Sequence, residues 1–263
     1  MNESNLFLQQ LYGREDARSL WYKGQISIDN FLNHPQVKKQ IEHYKSILPD
    51  NQDCKILDIG VGEGWFAAIC SHLGYKNIEM ADYGCSSKFL DIVNGIEEIK
   101  SIHNVDSTIQ DLMAKNEFIN KYDFIHMSHV IEHIPKHDLI NTMDTLNAAL
   151  CEGGVLFLRC PNMLGPLPMM SLYVTMGHEY GFIPSNLKQL FLGTNFTDIK
   201  FHTFEYKPKN LKNVLGAILR KVYILNAQLK YRAFEGYIAP TFHPELIASA
   251  KKCQDKDRLT IRN

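Results

Sequence analysis

The stretch KILDIGVGEGWFAAICSHLGYKNIEMADYG, residues 55–84, constrains the fold of this chain more than any other. An apolar run is followed by three glycines in five residues and then by a helix-like segment that ends at Gly74. A second short apolar run ends at Asp82. Strand, glycine turn, helix and strand in this order predict a parallel sheet unit, and glycines at the first turn let a ligand approach the backbone closely.

The alternation of strand-like and helix-like segments continues to residue 162. It predicts a parallel sheet with helices on both faces. After the opening unit, the predicted elements are a helix over 87–102, a weaker strand over 105–112, a strand over 122–128, a helix over 136–154 that ends at a Gly-Gly pair, and a strand over 155–162.

The chain is expected to form one domain with additions, because no Pro/Ser-rich linker divides it. Residues 1–52 predict an amphipathic helical extension, and residues 53–263 predict the domain itself. Residues 161–185 are rich in Pro, Met and Gly and predict a long active-site loop. Residues 207–235 predict an inserted amphipathic helix before a last strand.

Composition excludes several classes of protein. The formal net charge of −1 over 263 residues gives no general attraction for nucleic acid. The acidic N-terminus does not resemble a signal peptide, and no apolar stretch approaches the length of a membrane span. The six cysteines are scattered without a CxxC pair, which is typical of free thiols in a reducing cytoplasm.

The spacing of the glycines separates two classes of nucleotide-binding fold. Gly60, Gly62 and Gly64 form G-x-G-x-G, whereas the dinucleotide fingerprint is G-x-G-x-x-G. Trp65 occupies the position of the third dehydrogenase glycine and would obstruct the close helix–strand packing that this glycine permits. Asp58 precedes the glycines on the same strand. The pattern therefore argues against a dehydrogenase.

Three segments together resemble the class I S-adenosylmethionine-dependent methyltransferases. LDIGVGEG is similar to their first motif, D/E-x-G-x-G-x-G, and Gln110-Asp111-Leu112 lies where the family often has an acid. FIHMSHVIEHIP, residues 124–135, resembles the fourth-strand motif of one large branch. The resemblance implies a Rossmann-like α/β fold with a seven-stranded, mostly parallel sheet, and S-adenosylmethionine as the cofactor.

The resemblance also implies which residues bind this cofactor. Asp58 would lie near the methionine moiety, Asp82 would bind the ribose and Asp111 would lie near the adenine amino group. The full expected set is Asp58, Gly60, Val61, Gly62, Gly64, Asp82, Tyr83, Asp111, Leu112, Ser128 and His129.

HVIEH also matches a zinc-peptidase pattern, H-x-x-E-H, in His129, Glu132 and His133. That pattern needs both histidines on one face of a continuous helix and a third ligand downstream. His129 directly follows a predicted strand, and Pro135 would interrupt the helix. No metal site is therefore expected.

A hydroxyl acceptor would benefit from a base, and histidine suits that role near neutral pH. The candidates are His178, His129 and His133. His178 is favoured because GHEYGFIPSNLKQLF, residues 177–191, resembles a segment of the same branch that lies over the active-site mouth.

The inserted helix gives the hint about the acceptor. Its basic side chains predict either a solvated face on a helix packed against the domain, or a surface for a phosphate-bearing substrate or a membrane. The layout resembles methyltransferases of bacterial sugar and surface-polysaccharide pathways, which implies O-methylation of a sugar or glycan precursor in the cytoplasm. Two alternatives stay open: a small aromatic or quinone-like acceptor, lined by Tyr180, Phe182 and methionines between 163 and 176, and a non-enzymatic S-adenosylmethionine-binding protein.

Overall fold

A single seven-stranded sheet forms the centre of the molecule. The computed structural model describes residues 28–62, 64–82, 95–105, 108–203 and 211–253. The strand order is β3-β2-β1-β4-β5-β7-β6. β7 runs antiparallel to β5 and β6, and the other neighbours are parallel. The strands are β1 Lys55–Ile59, β2 Asn77–Asp82, β3 Ile99–Asn104, β4 Tyr122–Ser128, β5 Leu150–Pro161, β6 Phe196–His202 and β7 Glu245–Lys252. The expected α/β architecture is confirmed.

Helices lie between and beside the strands. They are α1 Ile28–Asn33, α2 Pro35–Lys45, α3 Trp65–His72, α4 Ile109–Met113, α5 Leu139–Ala149, α6 Pro168–Tyr173, α7 Pro184–Gly193 and α8 Leu211–Glu235, with short 3₁₀ turns at Asn116–Phe118 and Ile131–His133. Within the described ranges, no helix combines the length and apolarity needed to cross a membrane.

The sheet has a buried apolar cluster on each face, as alternation along the strands requires. On β1, Leu57 packs with one cluster and Ile56 with the other. The second cluster includes residues of α2 and α3, so the N-terminal helices cover the sheet beside the glycine turn. Phe31 of α1 also stacks on Trp65 of α3 at 4.0 Å. Residues 1–27 of the expected helical extension lie outside the described residues.

Two of the predicted elements between β2 and β4 are wrong. Part of the predicted helix over 87–102 is strand β3, because Met80 and Ile102 pair across a parallel ladder that local propensity does not reveal; residues 83–94 lie outside the described residues. The weaker strand predicted over 105–112 is wrong because residues 109–112 belong to helix α4. Thr108 starts it by accepting a hydrogen bond from the Asp111 amide at 3.0 Å.

The helix predicted over 136–154 ends earlier than expected. α5 stops at Ala149, and the Gly-Gly pair belongs to β5 instead of capping the helix. Gly153 has φ 73°, and a Cβ on Gly154 would lie only 2.9 Å from the Cys151 carbonyl oxygen. The glycines thus accommodate an irregular start of the strand, where the register with β4 also shifts.

The inserted helix and the predicted loop also differ from expectation. α6 interrupts the loop over 161–185. α8 forms as predicted, and Tyr231 contacts Phe242 with ring centroids 5.6 Å apart, but many of its apolar residues are exposed. The exposed ones include Leu215, Ile218, Leu219, Val222, Leu225 and Leu229. Periodicity predicted the helix, but it does not say what covers the apolar face.

Candidate functional site

The turn after β1 is held in a conformation that favours glycine at three positions. Gly60, Gly62 and Gly64 have φ values of 73°, 57° and 78°. The Gly60 amide donates to the Ala81 carbonyl at 2.9 Å, which ties the turn to β2. A Cβ on Gly60 would overlap Cγ2 of Val130. These glycines therefore place bare backbone at the carboxyl edge of the sheet, between β1 and α3.

Asp82 ends β2 directly beside this loop. Its Oδ2 accepts a hydrogen bond from the Gly62 amide at 3.3 Å. Gly62 is exposed and Asp82 is half-buried, so both border a space that a ligand can reach. The structure thus brings together the glycines and the acid that the sequence singled out.

Asp58 lies beneath the loop in a buried hydrogen-bonded chain. The Nδ1 of His126 donates to Asp58 Oδ1 at 2.7 Å, and the Tyr44 hydroxyl donates to His126 Nε2 at 3.1 Å. Burial raises the pKa of Tyr44, which keeps this hydroxyl protonated. Asp58 Oδ2 is buried and has no hydrogen-bond partner within the described residues. This series of hydrogen bonds connects α2 to β1, the strand that precedes the glycine loop.

The other expected cofactor residues have different surroundings. Asp111 is exposed at the start of α4, where it also accepts a hydrogen bond from the Thr108 hydroxyl at 2.7 Å. Val61 and Leu112 are buried among apolar neighbours, and their carbonyls accept hydrogen bonds from the Gly64 and Lys115 amides. Tyr83 lies outside the described residues.

Ser128 ends β4, and His129 begins the next turn with φ 56°, a strained conformation for a residue with a Cβ. The His129 amide donates to the Arg159 carbonyl at 2.8 Å. The two ring nitrogens of His129 lie 3.1 Å from Glu132 Oε1 and 3.1 Å from Glu245 Oε2. Arg159 Nε donates to the same Glu245 oxygen at 2.8 Å. Two cations and two carboxylates therefore alternate at this edge of the sheet.

These ion pairs determine the charge of His129. Burial alone would lower its pKa, but hydrogen bonds to Glu132 and Glu245 outweigh burial and raise the pKa to about 9. Burial would also raise the pKa of Glu245, but His129 and Arg159 hold it at about 2. His129 is thus protonated at neutral pH, which argues against it as a base.

His133 and His178 face each other across the turn after β4. Their ring centroids are 4.8 Å apart. His133 Nδ1 donates to the Gly177 carbonyl at 2.7 Å, and His178 Nδ1 donates to the Ser171 carbonyl at 3.0 Å. Burial lowers the pKa of His133, which favours its neutral form. The side chain of His178 is only 6% exposed, and its Nε2 lies 3.9 Å from Glu132 Oε1.

A family model described as a methyltransferase domain matches residues 33–200, more than half of the chain. The chain belongs to this methyltransferase family. Among curated proteins, none matches its sequence.

Solved structures show that the fold is that of class I S-adenosylmethionine-dependent methyltransferases. An S-adenosylmethionine-dependent methyltransferase from Archaeoglobus fulgidus is 19% identical, with a TM-score of 0.57 over 95% of this chain and 100% of its own. 1,6-Didemethyltoxoflavin-N1-methyltransferase from Burkholderia thailandensis is 12% identical, with a TM-score of 0.57 over 95% and 87%. Human N-acetylserotonin methyltransferase is 14% identical, with a TM-score of 0.55 over 94% and 59%.

Sequence reasoning missed several polar residues of this methyltransferase. His126 carried a usable signal, because a histidine inside an apolar strand needs a buried partner. Tyr44, Arg159 and Glu245 carried none, since they are far apart in sequence and meet the site only through the fold.

Proposed function

We propose that this methyltransferase transfers a methyl group from S-adenosylmethionine to an oxygen of a sugar or glycan precursor. The observation that supports S-adenosylmethionine as the methyl donor is the loop of three left-handed glycines with Asp82 beside it. The proposed sugar or glycan acceptor rests on the polar groups beside that loop and on the surface of α8.

The glycine loop fits the cofactor. Its backbone is open at Gly62, and Asp82 offers a carboxylate that can accept hydrogen bonds from ribose hydroxyls. We assign the methionine end to the region of Asp58 and the adenine to the region of Asp111. When bound, S-adenosylmethionine supplies an electrophilic methyl group on a sulfonium. The protein's task is then to hold the acceptor oxygen in line with that methyl and to exclude water.

The groups beyond the glycine loop favour a hydroxylated acceptor over an aromatic one. His129, Arg159 and Glu245 present charged hydrogen-bonding groups at the ends of β4 and β5 and the start of β7. Of the residues that would line an apolar pocket, Phe182 is buried in the core against Tyr180, whereas Met169 and Met176 are exposed.

We assign the acceptor's proton to the pair formed by His133 and His178, with His178 as the primary base. Nδ1 of each ring donates to a backbone carbonyl, so Nε2 carries the lone pair that accepts a proton. His178 lies on the loop that follows β5, and this loop docks on Glu132 through the Glu179 amide at 2.8 Å. A proton acceptor on a docked loop suits a site that closes over its substrate.

We further propose that α8 contacts an anionic membrane surface, on which a lipid-linked acceptor would be presented. An exposed apolar stripe runs along the helix through Leu215, Ile218, Val222, Leu225 and Leu229. At 3.6 residues per turn, exposed basic residues flank the stripe, with Lys230 on one side and Lys221 and Arg232 on the other. Basic flanks beside an apolar stripe suit anionic lipid, whereas they would repel a second copy of the same helix.

Calorimetry with S-adenosylmethionine, S-adenosylhomocysteine and NAD tests the cofactor assignment. Binding of the first two and not of NAD supports it, and binding of NAD alone would refute it. A panel of sugar, nucleotide-sugar and aromatic acceptors then tests the acceptor. Cofactor binding without turnover on any acceptor would favour the non-enzymatic alternative.

Vesicle flotation tests the membrane contact. The protein should float with vesicles of phosphatidylcholine and an anionic phospholipid, and less with phosphatidylcholine alone. Lys221→Glu with Arg232→Glu should weaken flotation, while Lys188→Glu, an exposed lysine on α7, serves as the control. Equal flotation with both vesicle types, or none, would contradict the proposal.

A further inference from the structure

Glu132, His133 and His178 form a cluster in which one potential ligand atom from each residue lies within 4.8 Å of the other two. We propose that this cluster binds a divalent first-row transition-metal ion. The zinc-peptidase pattern pairs His133 with His129, but His129 turns to Glu245 instead. The third ligand comes from His178, on the loop after β5. Two imidazoles and one carboxylate are a donor set typical of Zn²⁺ and Fe²⁺ sites.

Both histidines are oriented as metal ligands usually are. A ligating imidazole commonly donates its other N–H to a backbone carbonyl, which fixes the ring. Nδ1 of His133 donates to Gly177, and Nδ1 of His178 donates to Ser171. Nε2 of each ring therefore keeps its lone pair, and this is the atom that a metal would bind.

Glu132 supplies an independent observation. It is 1% exposed, and its Oε2 is buried without a hydrogen-bond partner in the described part of the chain. An unsatisfied buried carboxylate oxygen is costly. The other oxygen, Oε1, lies 3.1 Å from His129 Nδ1 in a hydrogen bond, which leaves Oε2 as the oxygen without a partner.

The spacing requires a small closure. Bonds of about 2.0–2.2 Å to one ion place its ligand atoms about 3–3.5 Å apart. His178 Nε2 is 3.9 Å from Glu132 Oε1, and the three ligand atoms of the cluster all lie within 4.8 Å of one another, so closures of under about 2 Å would bring every pair into range. Such an ion would fasten the loop after β5 to the turn after β4, where the Glu179 amide already bonds to the Glu132 carbonyl.

Three protein ligands leave a coordination position open. Metal binding itself does not depend on the proposed function, but the role of the ion does. An acceptor oxygen at the open position would be polarised by the ion. His178 would then be a ligand, and the ion would replace it as the activating group. Without the ion, His178 Nε2 keeps the role of base proposed above, whereas an Nε2 bound to the ion has no lone pair left to accept a proton.

Metal binding is measured on the full chain after chelator treatment, without cofactor or acceptor. Zn²⁺ should bind at one ion per chain in calorimetry, and Co²⁺ should give a visible absorption band that Zn²⁺ abolishes. Glu132→Gln and His178→Ala should weaken binding by more than the roughly 10–100-fold that follows loss of a ligand's hydrogen-bond partner. The control is His137→Ala, a surface histidine that is 71% exposed.

The proposal is overturned if the wild-type protein does not bind Zn²⁺ or gives no Co²⁺ absorption band. Equal Zn²⁺ affinity of wild type and Glu132→Gln would overturn it too, because that substitution removes the charge at nearly constant shape. Calorimetry with S-adenosylmethionine on the chelator-treated, metal-free protein distinguishes the proposed metal site from the proposed function. Cofactor binding without metal binding rejects only the metal site, and metal binding without cofactor binding rejects the proposed function.

Discussion

Replacing Gly60 with alanine should destabilise the protein through two separable effects. A side chain at φ 73° costs roughly 1–2 kcal/mol. The new Cβ would also overlap Cγ2 of Val130, and such overpacking costs roughly 1–3 kcal/mol. The sum is a loss of about 2–5 kcal/mol in the free energy of unfolding, measured by urea titration. Cofactor affinity, measured by calorimetry, should fall as well, because the loop must move.

A second substitution isolates the steric part. Val130→Ala removes Cγ2 and leaves its Cβ at 3.5 Å from the new methyl, an ordinary contact. In a double-mutant cycle it should therefore recover roughly 1–3 kcal/mol of the loss in Gly60→Ala. The matched control is Gly216→Ala in α8, where a Cβ meets no atom within 4 Å and should stabilise by up to about 1 kcal/mol. A loss below about 1 kcal/mol in Gly60→Ala, or no coupling to Val130, would refute this reasoning.

Three further substitutions test other contacts. Asp82→Asn should weaken S-adenosylmethionine binding by roughly 1–3 kcal/mol in calorimetry, whereas Asp53→Asn, at an exposed ion pair, should not. His129→Gln should lower stability most at neutral pH. The contribution of His129 to the free energy of unfolding is complete below pH 6.5 and is lost as the pH rises through about 9. The contribution of Glu245 is complete above pH 4.5 and is lost as the pH falls through about 2. Urea titrations from about pH 2 to pH 9 should show that the difference in free energy of unfolding between wild type and His129→Gln becomes smaller at both ends of the range. Thr108→Ala should cost about 0.5–2 kcal/mol by removing the cap of α4, and an unchanged urea midpoint would contradict that role.

The glycine loop could be predicted because its determinants are local. The left-handed turn, the preceding strand and the following helix all lie within residues 55–74, and Gly74 ends the helix with φ 88° as expected. Asp82 follows from the same logic, since adjacent parallel strands place their carboxyl ends side by side.

The failures are at segments whose structure depends on distant partners. The residues of β3 suited a helix by composition, and only pairing with β2 makes them a strand. α8 shows the opposite case, in which the local pattern predicted the helix but could not determine which of its apolar residues stay exposed. The charge of His129 was likewise beyond reach, because Glu245 is more than 100 residues away in the chain.

The turn after β4 connects the glycine loop to the loop after β5. Val130 packs against Gly60 so closely that only glycine fits there. Two residues later, the Glu132 carbonyl accepts the Glu179 amide, and His133 donates to Gly177. A shift of the glycine loop would therefore press on Val130 and move the anchor of the second loop. This arrangement explains the HVIEH segment better than a peptidase helix does, because Val130 packs against one loop while Glu132 and His133 hold the other. It also predicts that substitutions at Val130 affect cofactor affinity and acceptor turnover together.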